Sequence, residues 1–107
     1  MPKLKQIWIG LVGVVPRPGS NTLSGGQAKG AFVNALAYVS DEEEYKIAVQ
    51  RAVSELGLDA FEYEDIERFS DRVSKFEVDD ALKSLAEEAE STGSVRFGTF
   101  HNYMATE

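Results

Sequence analysis

Residues 31–39 read A-F-V-N-A-L-A-Y-V, an apolar run with no proline or glycine, and helix-start chemistry follows at once. A run of this length, with β-branched and aromatic residues in it, suits a strand covered on at least one face. Side chains alternate across a strand, so Ala31, Val33, Ala35, Ala37 and Val39 share one side. Phe32, Asn34, Leu36 and Tyr38 share the other. The first side is small enough for a helix to approach closely. The second is the larger side and is the one expected to carry a site. Ser40 with Glu43 reads as a capping box, and Asp41 to Glu44 puts negative charge at the positive end of the helix dipole. Tyr45, Val49, Ala52, Val53 and Leu56 then recur at the spacing of one buried helical face, and Gly57 is the stop. Leu58 to Glu67 reads as a further strand, so residues 30–67 form a strand–helix–strand unit.

The other segments must pack around this unit. A chain of 107 residues suits one domain with a core of its own. With no cysteine, disulfides, thiol chemistry and cysteine-held metals are excluded. That composition suits a reducing compartment, and the cytoplasm is the expected location. No apolar run reaches the roughly 20 residues of a membrane helix. Ile7 to Val15 follows two lysines, but Val14-Val15-Pro16-Arg17 is a poor cleavage context, so the segment is expected to be a core strand. Residues 1–30 carry Lys3, Lys5, Arg17 and Lys29 and no acid, a charge of +4. The remaining residues hold 7 basic and 18 acidic side chains, a charge of −11. Such a body repels phosphates, which argues against nucleic acid and anionic membranes as partners. It permits a basic partner, steered by the field.

Lys5 to Val15 is the first strand. Ile7, Ile9, Leu11 and Val15 lie on one side and Trp8, Val12 and Val14 on the other, while Gly10 and Gly13 mark a bend or bulge. Trp8 reads as a core residue and is also a binding candidate. Pro16 to Gly30 is a glycine-rich loop joining two apolar strands as a long hairpin, and its composition suits a contact loop. Its amides, with Arg17 and Lys29, are a candidate anion cradle. Leu23-Ser24-Gly25-Gly26-Gln27 repeats the letters of the signature motif of ABC transporter ATPases. The phosphate loop that this motif needs is missing, so no nucleotide site is read from it.

In Leu58 to Glu67, alternation puts Phe61 with Tyr63 and Ala60 with Glu62. Glu62, Glu64, Asp65 and Glu67 crowd the strand, as charged edges do. Arg68 to Phe76 is a connection with a short helical turn. Val78 to Thr92 is a second helix with Val78, Leu82, Leu85, Ala86 and Ala89 inward, closed by Gly93. Val95 to His101 is the last strand and Asn102 to Glu107 a tail. His101 is the single histidine, so a multi-histidine metal site is excluded, and an acid–base role beside Glu62 or Glu64 is the one enzymatic option.

The expected fold is α+β: a two-layer sandwich with a four-stranded mixed sheet and two helices on one face. It is similar to the broad ferredoxin-like group, but its first connection is a loop where that group has a helix. Phe32 to Glu44, F-V-N-A-L-A-Y-V-S-D-E-E-E, resembles the strand-to-helix step of small acidic bacterial α+β modules, among them immunity proteins and regulatory modules. That resemblance covers a small part of the chain and implies no functional residue. The expected function is a non-catalytic interaction or regulatory module, with a protein partner or self-association as a homodimer. No cofactor, metal, nucleic acid or membrane is expected. The binding candidates are Trp8, Arg17, Lys29, Asn34, Tyr38 and Tyr63. A small-molecule or anion site closed by the 16–30 loop is the alternative, followed by an enzyme using His101.

Overall fold

The computed structural model describes residues 4–16, 28–98 and 101–104, with backbone alone at 28, 29 and 101–104. In chain order the elements are β1 (Gln6–Pro16), β2 (Ala28–Val39), α1 (Glu42–Glu55), β3 (Leu58–Arg68), α2 (Phe69–Lys75), α3 (Asp80–Thr92), β4 (Arg96–Phe97) and β5 (His101–Met104). The sheet order is β3-β1-β2-β4, and β5 also pairs β2. β1 and β2 form the expected long hairpin, in register from Gln6↔Val39 to Val14↔Ala31. The loop expected at 16–30 is shorter, since β2 begins at Ala28; Arg17 and the Leu23–Gln27 motif lie outside the described residues.

The expectation of a mixed sheet is corrected, because every neighbouring pair is antiparallel. β2 and β3 do run the same way, as a strand–helix–strand unit requires. The hairpin partner β1 sits between them and pairs antiparallel with both. The last strand is corrected as well. It is two short strands, β4 and β5, and the latter takes in residues assigned to the tail.

Alternation along β1 and β2 divides the core in two. Val12, Val14, Ala31, Val33, Ala35, Ala37 and Val39 pack with Tyr45, Val49 and Val53 of α1 and with Leu58. Ile9 and Leu36 point the other way and pack with Ala86 of α3, beside Ile7, Phe69, Leu82 and Leu85. Helices therefore lie over both faces, three of them among the described residues. This corrects the expectation of two helices on one face. An apolar stripe tells that a helix packs on a sheet, and the strand register decides which side receives it.

The small side of β2 does admit a helix closely. Tyr45 is fully buried and its hydroxyl donates to the Ala35 carbonyl at 2.8 Å. Burial pushes its pKa up. A Cβ at Gly10 would stand 2.9 Å from that hydroxyl and 3.0 Å from Ile66 Cγ1, so glycine here makes room for the helix. The helix starts one residue later than the capping-box reading. Asp41 is the N-cap and accepts from the Glu44 amide at 2.8 Å, while the Ser40 hydroxyl donates to the Glu44 carboxylate. Leu56 falls in the C-cap and is 42% exposed, outside the buried stripe. The N-cap of α3 is Asp79, and Gly93 ends that helix at φ 76°.

β3 carries two register shifts against β1, between Ile9 and Leu11 and between Gly13 and Val14. In both, the extra residue is in β3, and Asp65 takes φ 53°. The glycines of β1 thus face bulges in the neighbouring strand. The Ala60 amide of β3 donates to Gln50 Oε1 at 3.1 Å, and the Asp65 carbonyl accepts from Arg72 at 3.3 Å.

The contact at Gly10 can be tested by a double-mutant cycle. Gly10→Ala should lower stability by about 1–2 kcal/mol, as overpacking of a tight site does. Tyr45→Phe alone should cost about 1 kcal/mol for the lost buried hydrogen bond. The double variant should lose clearly less than the sum, because the clash is with the hydroxyl. Urea unfolding midpoints read all three.

Candidate functional site

The face of the sheet under α3 can be followed row by row. Tyr38 and Ile7 pair at one end, then Leu36 with Ile9, Asn34 with Leu11, and Phe32 with Gly13. β3 continues these rows: Glu67 lies beside Ile9, Glu64 beside Leu11 and Glu62 beside Gly13. The rows of Ile7 and Ile9 are covered by Phe69 of α2 and by Leu82, Leu85 and Ala86 of α3. The rows of Leu11 and Gly13 are not part of that cluster.

Phe61 dominates the less covered end. The bulge beside Gly13 turns its ring over that glycine, where a Cβ would come within 2.7 Å of it. The ring meets Phe32 edge to face, with centroids 6.0 Å apart, and Phe61 stays 48% exposed. Sequence alternation paired Phe61 with Tyr63. The bulge separates them, because Tyr63 packs with Ala60 on the α1 side.

Three carboxylates stand along this face of β3 in two different states. Glu67 is only 17% exposed and is held twice from α2: Lys75 Nζ is 2.6 Å from Oε1, and Arg72 Nε pairs with Oε2. The Lys75 and Arg72 hydrogen bonds hold its pKa below the ordinary carboxylate value. Glu62 and Glu64 are exposed and make no ion pair among the described residues. Hydrogen bonding to the Glu62 carboxyl, and then its charge, raises the pKa of Glu64. Two concavities flank the start of α3. One, of about 640 Å³, runs from Glu67, Arg72 and Lys75 to Phe76 and Leu82. The other, of about 590 Å³, is lined by Asn34, Leu82, Leu85 and Gly98.

The residues singled out from sequence do not gather at one place. Asn34 and Tyr38 are half-buried on the α3 face. Asn34 lines the smaller concavity, and its carbonyl accepts from the Gly98 amide at 2.8 Å. Trp8 and Tyr63 are on the α1 face. The Trp8 indole nitrogen is buried without a hydrogen-bond partner among the described residues. The Tyr63 hydroxyl donates to the Lys46 carbonyl at 3.3 Å, the Lys46 ammonium lies 5.8 Å from its ring centre, and burial raises its pKa. Arg17 lies outside the described residues, and the side chains of Lys29 and His101 do too. Among the described residues, no three His, Cys, Asp or Glu side chains converge as a metal site requires. No helix of the described residues is long and apolar enough to cross a membrane. Sequence reasoning counted Phe61 among the aromatic residues of an open sheet face, but grouped it with Tyr63 and not over Gly13. The bulge that places Phe61 lies between Ala60 and Glu62, where the sequence alternation carries no signal of it.

Comparison with protein-family models, with curated proteins and with solved structures gives no match.

Two titrations test this electrostatic picture. Glu67 has a lowered folded-state pKa, so its contribution is present above the ordinary carboxylate value of 4.5 and is lost as pH falls through the folded value. Glu67→Gln should therefore cost about 1 kcal/mol at pH 7, as for a partly exposed charged hydrogen bond, and almost nothing at pH 3. Denaturant unfolding at the two pH values measures it. For the other pair, Glu62→Gln should bring the Glu64 carboxyl titration midpoint down toward its ordinary value, as read by carbon-detected NMR.

Proposed function

We propose that the chain is a non-catalytic protein-interaction or regulatory module that docks a protein partner on the less covered end of the α3 face. The observation that carries this reading is Phe61. An aromatic ring 48% exposed, fixed over a glycine in the middle of a sheet, is a rigid anchor for a partner. Leu11 and Phe32, both half-buried, lie on the same face beside it. The acidic body, −11 over residues 31–107, disfavours nucleic acid and anionic membrane as the occupant. The reading is of a protein of the cytoplasm, in keeping with a chain that has no cysteine. The partner is a second protein or another copy of this chain, and the distinction is experimental.

A photo-crosslinking amino acid placed at Phe61 should give a discrete adduct in cells expressing the chain. The same group at Ile47, 54% exposed on α1, is the control. Adduct at 61 and none at 47 is the expected result, and its mass tells a partner from a self-adduct. Equal background at both positions would overturn the reading.

A further inference from the structure

Resting on that docking surface, we infer that its occupant is a basic segment of another protein, which places arginine or lysine side chains on Glu62 and Glu64 and an apolar side chain against Phe61. One row of carboxylates on β3 holds a contrast. Glu62, Glu64 and Glu67 all stand on the same face of β3, opposite Gly13, Leu11 and Ile9. For Glu67 the chain itself supplies two cations, Arg72 and Lys75. For Glu62 and Glu64 it supplies none among the described residues, although the two stand two residues apart on the same face of the strand. Like charges held together repel, and a cation placed between them relieves the repulsion. Arginine suits the position, since its planar fork can engage two carboxylates and its face can lie on an aromatic ring. Phe61 is that ring, adjacent in sequence and half exposed.

The surroundings select the sign of the partner. Asp65 follows the pair directly, so this stretch of the strand carries three acids within four residues. A second copy of this chain is a poor occupant. A two-fold pair brings the same patch to both sides, and Glu62 and Glu64 would then face Glu62 and Glu64. A basic partner instead gains long-range steering from the −7 net charge and loses it with salt.

Synthetic hexapeptides test this with the intact purified chain. One alternates arginine and valine, a second threonine and valine, a third glutamate and valine. Amide shifts are followed at low salt and again at 0.3 M. The arginine peptide should move Leu11, Gly13 and Phe61 to Glu64 first, at least tenfold more tightly than the threonine peptide, and the glutamate peptide should not bind. Salt should weaken it. Glu62→Gln with Glu64→Gln, both exposed and isosteric, should weaken it at least fivefold while the rest of the spectrum is unchanged. Arginine and threonine peptides binding that patch equally would overturn the basic partner and leave the docking surface standing. Shifts spread evenly over the acidic starts of α1 and α3 would also overturn it, as would no shift at all. The Phe61 crosslink is independent of these outcomes, so the two readings fail separately.

Discussion

The hydroxyl of Tyr45 on the Ala35 carbonyl sets how close α1 comes to the sheet, and much of the molecule follows from that distance. A helix can sit so low because the strand residues beneath it are small: Ala31, Ala35 and Ala37 in β2, and Gly10 in β1. With α1 seated there, every second residue of β1 and β2 is committed to that side, and the rest must find cover elsewhere. Ile9 and Leu36 find it under Ala86 of α3. The second helical layer is thus a result of the first. It is shorter than the face it covers, and the functional candidate lies where it ends.

Much of this was legible in the sequence. The assignment of faces in β1 and β2 needed only alternation, and both hold residue for residue through the core. The spacing of Tyr45, Val49 and Val53 marked the buried side of α1, and Gly93 marked the end of α3. What was not legible came from contacts between distant segments. An amphipathic stripe is the same whichever side of a sheet it meets, so the placement of α3 opposite α1 left no local trace. The same holds for antiparallel pairing throughout, which depends on β1 lying between β2 and β3. The candidate site was hidden for a third reason. A single extra residue near Phe61 reverses which side the ring faces, and strict alternation cannot anticipate it. Of the sequence candidates, Asn34 and Tyr38 lie on the α3 face, and Trp8 and Tyr63 on the α1 face.

Charge is distributed in β3 with a division of labour. Glu67 fastens α2 to the sheet through Arg72 and Lys75, and in doing so it helps to hold Phe69 against Ile7 and Ile9. Glu62 and Glu64 fasten nothing within the described chain. Identical side chains on one strand therefore differ in kind: one is part of the scaffold, and two face outward beside an aromatic ring. Burial and ion pairing separate them alike, since Glu67 is covered and paired while Glu62 and Glu64 are exposed.

The irregular outer margin of β3 limits how anything can bind beside it. Its Ala60 amide is already taken by Gln50 and its Asp65 carbonyl by Arg72, with a left-handed residue and two bulges between and around them. A visiting strand would find no continuous ladder of free backbone groups to zip onto. Recognition at this margin must then be written in side chains, ring and carboxylate, with the main chain contributing little. Affinity should accordingly track the identity of a few visiting residues, and the protein should resist the runaway strand-by-strand stacking that threatens an open acidic sheet once its charges are neutralised.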